Sequence, residues 1–319
     1  MLSKRIGKFS FQLLFGLIIL TFLTYVISKQ DFSLFLEKAS TMWPIILLLL
    51  FIHIVLQILF SSYNIKIIAN SLNHQIPYKN IFLSYIPVWS LGKILPGGVG
   101  ELSILYQLKQ EGLDTGNAVF IAFFDKLLTI VTQAIIIIAG IWIFIPPESS
   151  LLIIAILVIG IAAMIIAITS ATLRNMIKKY ILRSYSSKFV GFSSHFQYLW
   201  KEKKKVILWN MIITFCKSFS VAAIVTILFF ILGTEVNIFS VLVINTLTLV
   251  VAMIPITIGG LGTKEAAAVY LYSTIGVPAV IVYAVYVSIR IASLTIGPLA
   301  SLFVIYYIKN KIKKTNQSR

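Results

Sequence analysis

The sequence predicts an all-α integral membrane protein with about six transmembrane helices and two re-entrant helical hairpins in an inverted-topology repeat. Composition carries the first part of this prediction. Of the 319 residues, 59% are hydrophobic and 12% are charged, and the mean hydropathy is +0.98. A soluble domain of this length could not bury so much apolar surface. The prediction of two re-entrant hairpins rests on two glycine-rich clusters within otherwise apolar sequence.

Six stretches are long and apolar enough to cross a hydrocarbon core of about 30 Å. They are residues 9–28, 42–62, 117–145, 151–170, 206–232 and 279–308. The first follows Lys4, Arg5 and Lys8 and so resembles a secretory signal. No small-residue cleavage pattern follows it, and we therefore count it as a span.

Two further apolar segments, 81–95 and 238–254, run into Pro-Gly clusters. Each cluster ends in a glutamate, and a glycine follows eleven residues later, at Gly112 or Gly276. At about 1.5 Å per residue, this length cannot recross the membrane. Each segment is therefore predicted to form a re-entrant hairpin, at about 80–113 and about 237–276, with its broken backbone facing protein or water. The expected hinge and anion-binding backbone positions are Pro96, Gly97, Gly98, Gly100, Pro255, Gly259, Gly260 and Gly262.

The landmarks around the two clusters recur in the same order. A cation follows each glutamate after twenty-five residues, and Asn-Ile-Phe begins at both Asn80 and Asn237. The sequence thus predicts two repeats, 1–147 and 148–319. Because an odd number of spans separates the hairpins, they should open from opposite faces. Inverted repeats with broken helices are typical of alternating-access transporters.

Positive charge is concentrated on one face of this topology. About twenty of the Lys and Arg residues fall on the face that holds both termini, whereas Lys29 and Lys38 fall on the other. The positive-inside rule therefore predicts a multi-pass protein of the cell (cytoplasmic or inner) membrane with both termini in the cytoplasm. The lysine run at 201–205 is interpreted as an orientation signal with affinity for anionic headgroups, and no nucleic-acid partner is expected.

Eight charged residues fall inside the predicted membrane segments, and an unpaired charge there costs about 2.5 to 3.5 kcal/mol. We expect them to face inward and to bind substrate. They are Lys93, Glu101, Asp125, Lys126, Lys217, Lys264, Glu265 and Arg290. Five are positive and three are negative. This excess of positive charge favours a substrate with an anionic headgroup. So does the helix that starts after each glycine cluster, because the N-terminal end of a helix is positive and has unpaired N–H groups that can bind an anion.

We expect Glu101, Lys126, Glu265 and Arg290 to converge near the membrane midplane, where the hairpin tips meet. Arg290 has no adjacent acid, so its partner should be Glu265 or a substrate phosphate. Simpler roles are open to some of these residues. Asp125 and Lys126 can form a local buried pair, and the two glutamates can cap helices.

No metal site and no cofactor are expected. The three histidines are widely separated, without a second ligand at helical spacing, and the single Cys216 excludes an internal disulfide or a cysteine cluster. Gln57 and Asn210 are interpreted as inter-helix hydrogen-bond donors.

The segment 95–101 with Asp125 and Lys126 downstream, and the segment 254–265 with Gly276 downstream, resemble the membrane domain of bacterial lysylphosphatidylglycerol synthase. The resemblance spans about residues 9–308. It implies the fold of the flippase half of that enzyme, which also occurs in stand-alone flippase-like proteins. Asn64 stands where the resemblance leads us to expect an arginine. The 319 residues contain no soluble aminoacyl-transferase domain, so the resemblance implies a transporter-like protein and not an enzyme.

Three functions remain open from sequence. The first is alternating-access movement of an anionic or zwitterionic lipid, which would be a phospholipid, an aminoacyl-phospholipid or a polyprenyl-phosphate-linked sugar. The second is an integral-membrane enzyme of lipid or envelope glycan biosynthesis, and the third is a proton-coupled exporter of a small solute. The sequence lacks paired aspartates and a Gly-x-Ser-x-Gly turn and has only ten acidic residues, which argues against common enzyme types. Membrane lipids are the expected partners, with a synthase or glycosyltransferase supplying the substrate.

Overall fold

The computed structural model describes residues 2–30, 33–176, 179–180 and 191–317, and all regular elements in that part of the chain are helical. Six of these helices are long and apolar enough to cross a membrane. Their apolar spans are Phe9–Ser28, Leu36–Ser71, Thr115–Ile143, Pro147–Ile168, Lys204–Ile231 and Ala279–Tyr307. The predicted all-α membrane fold and its six spans are therefore confirmed, and the chain is a multi-pass membrane protein. Residues 1, 31–32, 177–178, 181–190 and 318–319 lie outside the described residues.

Twelve α-helices are described. They are α1 (Leu2–Ser28), α2 (Ser33–Ser71), α3 (Tyr78–Ile94), α4 (Ile104–Gln110), α5 (Thr115–Gly140), α6 (Pro147–Thr169), α7 (Ala171–Met176), α8 (Phe192–Glu202), α9 (Lys204–Ile231), α10 (Ile238–Met253), α11 (Thr263–Ser273) and α12 (Ala279–Gln317). A 3₁₀ segment, Pro96–Ser103, joins α3 to α4, and a 3₁₀ turn, Ile258–Gly260, lies between α10 and α11. Helices α2 and α12 have 39 residues each, or about 58 Å at 1.5 Å per residue, so they are longer than the hydrocarbon core is thick.

The chain forms two compact units that interleave along the sequence. The first unit comprises Met1–Leu59, Leu83–Ser103 and Ser218–Arg319, and the second comprises Phe60–Phe82 and Ile104–Lys217. The division falls inside α2, α3 and α9. These units are defined by which residues pack together, and they do not test a repeat in the sequence. The repeats 1–147 and 148–319 therefore stay a prediction.

In the first unit, the broken helix pair α10 and α11 is the central packing element. The two helices pack on each other, and α11 also packs on α1 and α12. Ala268 and Tyr272 of α11 are fully buried in these contacts. The ring of Phe229 from α9 lies edge-on to Tyr272, with the ring centroids 4.9 Å apart. The pair forms a helical hairpin, and its re-entry into the membrane remains a prediction.

In the second unit, the short helix α8 packs on α5 and α6. Its apolar residues Phe196 and Leu199 are buried, whereas Lys201 and Glu202 are exposed. The ring of Phe196 lies edge-on to Phe124 of α5, with the centroids 5.9 Å apart. Such a two-faced helix suits the edge of a membrane protein, where one side is apolar and the other is wet.

The glycines that follow the two hairpin segments end their helices in the same way. After α4, the N–H of Leu113 donates to the carbonyl of Leu108, and Gly112 has φ of 89°. After α11, the N–H of Val277 donates to the carbonyl of Tyr272, and Gly276 has φ of 78°. Both ends are Schellman motifs, in which a left-handed residue lets two amides bond the last carbonyls of the helix.

The helices that precede the hairpin segments end in the same motif. After α2, the left-handed residue is Asn73, with φ of 63°, and His74 N–H donates to the carbonyl of Ala69. After α9, it is Gly233, with φ of 82°. Asparagine tolerates this conformation better than other residues with a side chain. The order of helix ends is therefore repeated in the two halves of the sequence.

Candidate functional site

The two glycine-rich breaks meet in the first unit. The 3₁₀ segment Pro96–Ser103 contacts the 3₁₀ turn Ile258–Gly260, and we call this contact, together with Lys93, the glycine junction. The closest approach is at Gly259, where a Cβ atom would lie 2.1 Å from the carbonyl oxygen of Lys93. Gly259 also has φ of 54°. Only glycine fits this position without moving the backbone.

Other predicted hinge residues also lie at close approaches. A Cβ atom at Gly100 would lie 2.1 Å from the carbonyl oxygen of Leu91, and one at Gly262 would lie 2.7 Å from the carbonyl oxygen of Gly16. At Pro255, the carbonyl accepts a hydrogen bond of 2.6 Å from the side chain of Gln12 on α1. Pro96, Gly97 and Gly98 lie in the 3₁₀ segment, and Gly260 lies at the end of the 3₁₀ turn.

A buried ion pair holds the second break. Arg290 of α12 donates from Nε to Glu265 Oε1 at 2.8 Å, and its Nη2 lies 2.8 Å from the same oxygen. Its Nη1 donates to the carbonyl of Gly259 at 2.8 Å, and Nη2 donates to that of Gly260 at 3.0 Å. The other oxygen of Glu265 accepts from the N–H of Gly262 at 2.8 Å and so caps α11. The expected pairing of Arg290 with Glu265 is therefore confirmed.

Lys264 stands next to this pair. Its Nζ lies 5.5 Å from the ring centroid of Tyr286, at the distance of a cation–π contact. Within the described parts of the chain, Lys264 makes no hydrogen bond and no ion pair. It lies in the electrostatic field of Lys93 and Arg290. The nearest carboxylate in sequence, Glu265, is already engaged by Arg290. In and beside the junction, three cations (Lys93, Lys264 and Arg290) stand against two carboxylates (Glu101 and Glu265), so positive charge is in excess.

A line of polar side chains adjoins these lysines. His53 and Gln57, one turn apart on α2, are joined by a contact of 2.7 Å between their Nε2 atoms, and Trp89 Nε1 of α3 donates to Gln57 Oε1 at 3.4 Å. His53 is buried, lies in the field of Lys264 and Lys93, and has an Nδ1 atom without a partner among the described residues. The predicted inter-helix contact of Gln57 is present, although Gln57 is the acceptor. The sequence signal for His53 was its i, i+4 spacing from Gln57.

The remaining predicted site residues fall into both units. Glu101 lies in the 3₁₀ segment of the first unit, where its Cγ would be 2.6 Å from a Cβ atom at Gly92. Asp125 and Lys126 of α5, and Lys217 of α9, lie in the second unit. Asp125 accepts a hydrogen bond from Asn210 at 3.2 Å, as expected of Asn210 as an inter-helix donor. The convergence of Lys126 with Glu101, Glu265 and Arg290 stays a prediction.

The fold and the glycine junction define a class of protein: an all-helical, multi-pass membrane protein whose apolar helices break around a buried ion pair and an excess of lysine. Residues 11–300 match the family described as the lysylphosphatidylglycerol synthase TM region. This match covers most of the sequence, and the chain belongs to that family. No curated protein gave a significant match to the chain.

Proposed function

We propose that this protein moves an anionic or zwitterionic lipid between the two leaflets of the cell membrane by alternating access. One observation carries the proposal: Lys264 is a partly buried ammonium group at a helix break, without an acidic partner of its own among the described residues. An unpaired charge inside a membrane protein is costly. A lipid phosphate would neutralise it, and membership of a lipid-related family supports that class of ligand.

The contacts of Arg290 assign it a different role from that of Lys264. All three nitrogens of its guanidinium donate to Glu265 or to the carbonyls of Gly259 and Gly260. Arg290 therefore holds the break in place and has little capacity left for a ligand. Lys264 is the group we assign to the headgroup, because its ammonium group rests on an aromatic ring that a phosphate can replace as a partner. Lys93 adds to the positive charge around it.

The proposed transport cycle requires two hairpins that re-enter the membrane from opposite faces. The shared order of Schellman helix ends supports a repeated unit. So does the position of the cations, since Lys126 and Arg290 are each the twelfth residue of their helix. We place both termini in the cytoplasm because positive charge is concentrated in the segments on that side. In this account a synthase or glycosyltransferase supplies the lipid.

The test is a leaflet-resolved assay in liposomes that contain the purified protein and a trace of fluorescent lipid. A membrane-impermeant reductant bleaches the label in the outer leaflet only, so movement appears as bleaching beyond the outer-leaflet fraction. We expect bleaching of labelled phosphatidylglycerol beyond that of protein-free liposomes. A parallel series with labelled phosphatidylcholine separates anionic from zwitterionic substrates. Bleaching no greater than that of empty liposomes with every headgroup tried would contradict the proposal.

A further inference from the structure

A tryptophan sets the orientation of the Gln57 side chain in the first unit. Trp89 Nε1 donates to Gln57 Oε1 at 3.4 Å, and an indole nitrogen can only donate. Turning the Gln57 amide over would place its NH₂ group against this N–H, with a donor facing a donor. The amide nitrogen of Gln57 therefore faces His53, whose Nε2 lies 2.7 Å from it.

The contact with Gln57 in turn fixes the tautomer of His53. The amide nitrogen of Gln57 is a donor, so His53 Nε2 must be the acceptor, and the neutral imidazole then carries its proton on Nδ1. His53 is only 5% exposed, and its Nδ1 has no hydrogen-bond partner among the described residues. A buried donor without an acceptor is costly. His53 thus holds an N–H group of fixed direction that needs an acceptor.

The surroundings of this N–H group are positively charged. His53 interacts electrostatically with Lys264 and Lys93, and these two lysines interact with each other. Trp89 connects the groups further, because Lys93 Nζ lies 5.0 Å from the centroid of its ring. Side chains from α2, α3 and α11 are therefore mutual neighbours. An ammonium group cannot accept a hydrogen bond, so the acceptor for Nδ1 must come from elsewhere, and an anionic oxygen suits the charges around it.

We propose that His53 Nδ1–H donates to a phosphate oxygen of the headgroup that Lys264 neutralises, which makes His53 a residue that selects the headgroup. The inference rests on the function proposed above, since it assigns a second contact to the same lipid. The phosphate diester of a phospholipid has a pair of non-bridging oxygens, so Lys264 and His53 can each take one. An ammonium group attracts any anion, whereas the N–H of a held ring adds a direction.

The second contact predicts the class of lipid that is bound. A lipid that lacks a phosphate would leave both the Lys264 charge and the His53 donor without a partner inside the protein. A site built to bond a polar group discriminates strongly against an analogue without that group. We therefore expect phosphodiester lipids to bind and uncharged lipids with the same acyl chains to bind far more weakly.

The test is the affinity of the purified full chain for dihexanoyl phosphatidylglycerol, measured by isothermal titration calorimetry in a non-ionic detergent. Dihexanoylglycerol, which has the same acyl chains and no phosphate, is the comparison for the headgroup. Inorganic phosphate is titrated in parallel to separate a lipid from a free anion. We expect the phospholipid to bind more tightly than either of them.

Two substitutions at His53 separate its two nitrogens. In His53→Gln the new amide can still meet Gln57, but the donor at the Nδ1 position is gone, and we expect the affinity to fall about tenfold or more. In His53→Asn the new amide nitrogen takes the Nδ1 position, and we expect most of the affinity to remain. His74→Gln is the matched control, because His74 lies in the second unit, and it should bind like the unaltered protein.

A substitution at Gln57 gives an independent measurement if a His53 variant fails to fold. Gln57→Leu leaves His53 in place and removes the amide that sets its tautomer, so the proton can move to Nε2. We expect the affinity for dihexanoyl phosphatidylglycerol to fall here as well. The ring is unchanged in this variant, so the loss would come from the position of the proton.

The results that overturn the inference differ from those that overturn lipid transport. An affinity that falls in Lys264→Gln but is unchanged in both His53→Gln and Gln57→Leu would overturn the role of His53 and leave the proposed function standing. Equal losses in His53→Gln and His53→Asn would show a structural role and overturn it too. Equally tight binding of inorganic phosphate, lost in the same variants, would overturn the lipid as the ligand. Binding that depends on Nδ1, without lipid movement in liposomes, would support His53 and contradict transport.

Discussion

At the scale of single residues, the second helix break depends on one guanidinium. Arg290 reaches Glu265 and two backbone carbonyls, and Glu265 in turn caps α11. Glu265 is 1% exposed, so either charge would be left buried if the other were removed. The expected consequence is strong coupling between these two positions.

The first prediction tests that coupling. Arg290→Gln and Glu265→Gln should each lower the free energy of unfolding by about 3 to 5 kcal/mol, because each leaves an uncompensated buried charge. The double variant should lose less than the sum of the two. Chemical denaturation in detergent gives the three values. Additive losses would show that the two side chains act independently and would contradict the ion pair as described.

The second prediction concerns the closest backbone approach. Gly259→Ala places a methyl group 2.1 Å from the carbonyl of Lys93 at a residue with φ of 54°. We expect a marked loss of Tm and of folded yield, since the clash is with backbone and cannot be relieved by a side-chain rotation. Gly160→Ala on α6 is the control, because its Cβ would meet nothing within 4 Å. A Gly259→Ala protein as stable as Gly160→Ala would mean that the junction is more open than described.

At the scale of elements, spans were predictable because apolar length alone identifies a membrane helix. The helices extend beyond the predicted spans, since polar helix ends such as those of α2 carry no hydropathy signal. The Arg290–Glu265 pair was predictable because a buried arginine needs an acid. The contacts of Asn64 and Thr214 were not, because they join residues 150 positions apart and leave no periodic pattern.

The residues that recur in the two halves of the sequence have only partly recurring structure. Gly112 and Gly276 both form Schellman motifs. The echoed asparagines differ, because Asn237 caps α10 through Phe239 N–H, whereas Asn80 lies within α3 and donates to Glu111. The shared Asn-Ile-Phe segment thus lies near a helix start in both halves of the sequence, but the position and the contacts of its asparagine differ.

The third prediction compares the two equivalent helix ends. A Cβ atom at Gly112 or at Gly276 would meet nothing within 4 Å, so the cost of alanine is the left-handed backbone alone. Each substitution should cost about 1 to 2 kcal/mol, and the two costs should be similar. Thermal denaturation of the single variants measures this. A loss at one position only would indicate that the two ends are not equivalent.

At the scale of the whole molecule, the inverted repeat predicts opposite accessibility of the two hairpin bases. In a Cys216→Ser background, cysteine at Gly112 should react with an impermeant maleimide only from the cytoplasmic side, and cysteine at Gly276 only from the outside. Right-side-out cells and inverted vesicles give the two measurements. Reaction of both cysteines from the same side would contradict the inverted topology and the alternating-access scheme that depends on it.

The central claim is that Lys264 binds the anionic headgroup of a lipid that crosses the membrane. The most direct measurement is the rate of labelled phosphatidylglycerol movement in liposomes that contain Lys264→Gln, with Lys201→Gln, an exposed lysine of α8, as the matched control. We predict that Lys264→Gln stays folded and moves the lipid about tenfold more slowly or worse. A tenfold loss corresponds to the loss of a contact worth about 1.4 kcal/mol. Lys201→Gln should move lipid at the rate of the unaltered protein. A folded Lys264→Gln protein that moves the lipid at the unaltered rate would contradict the claim.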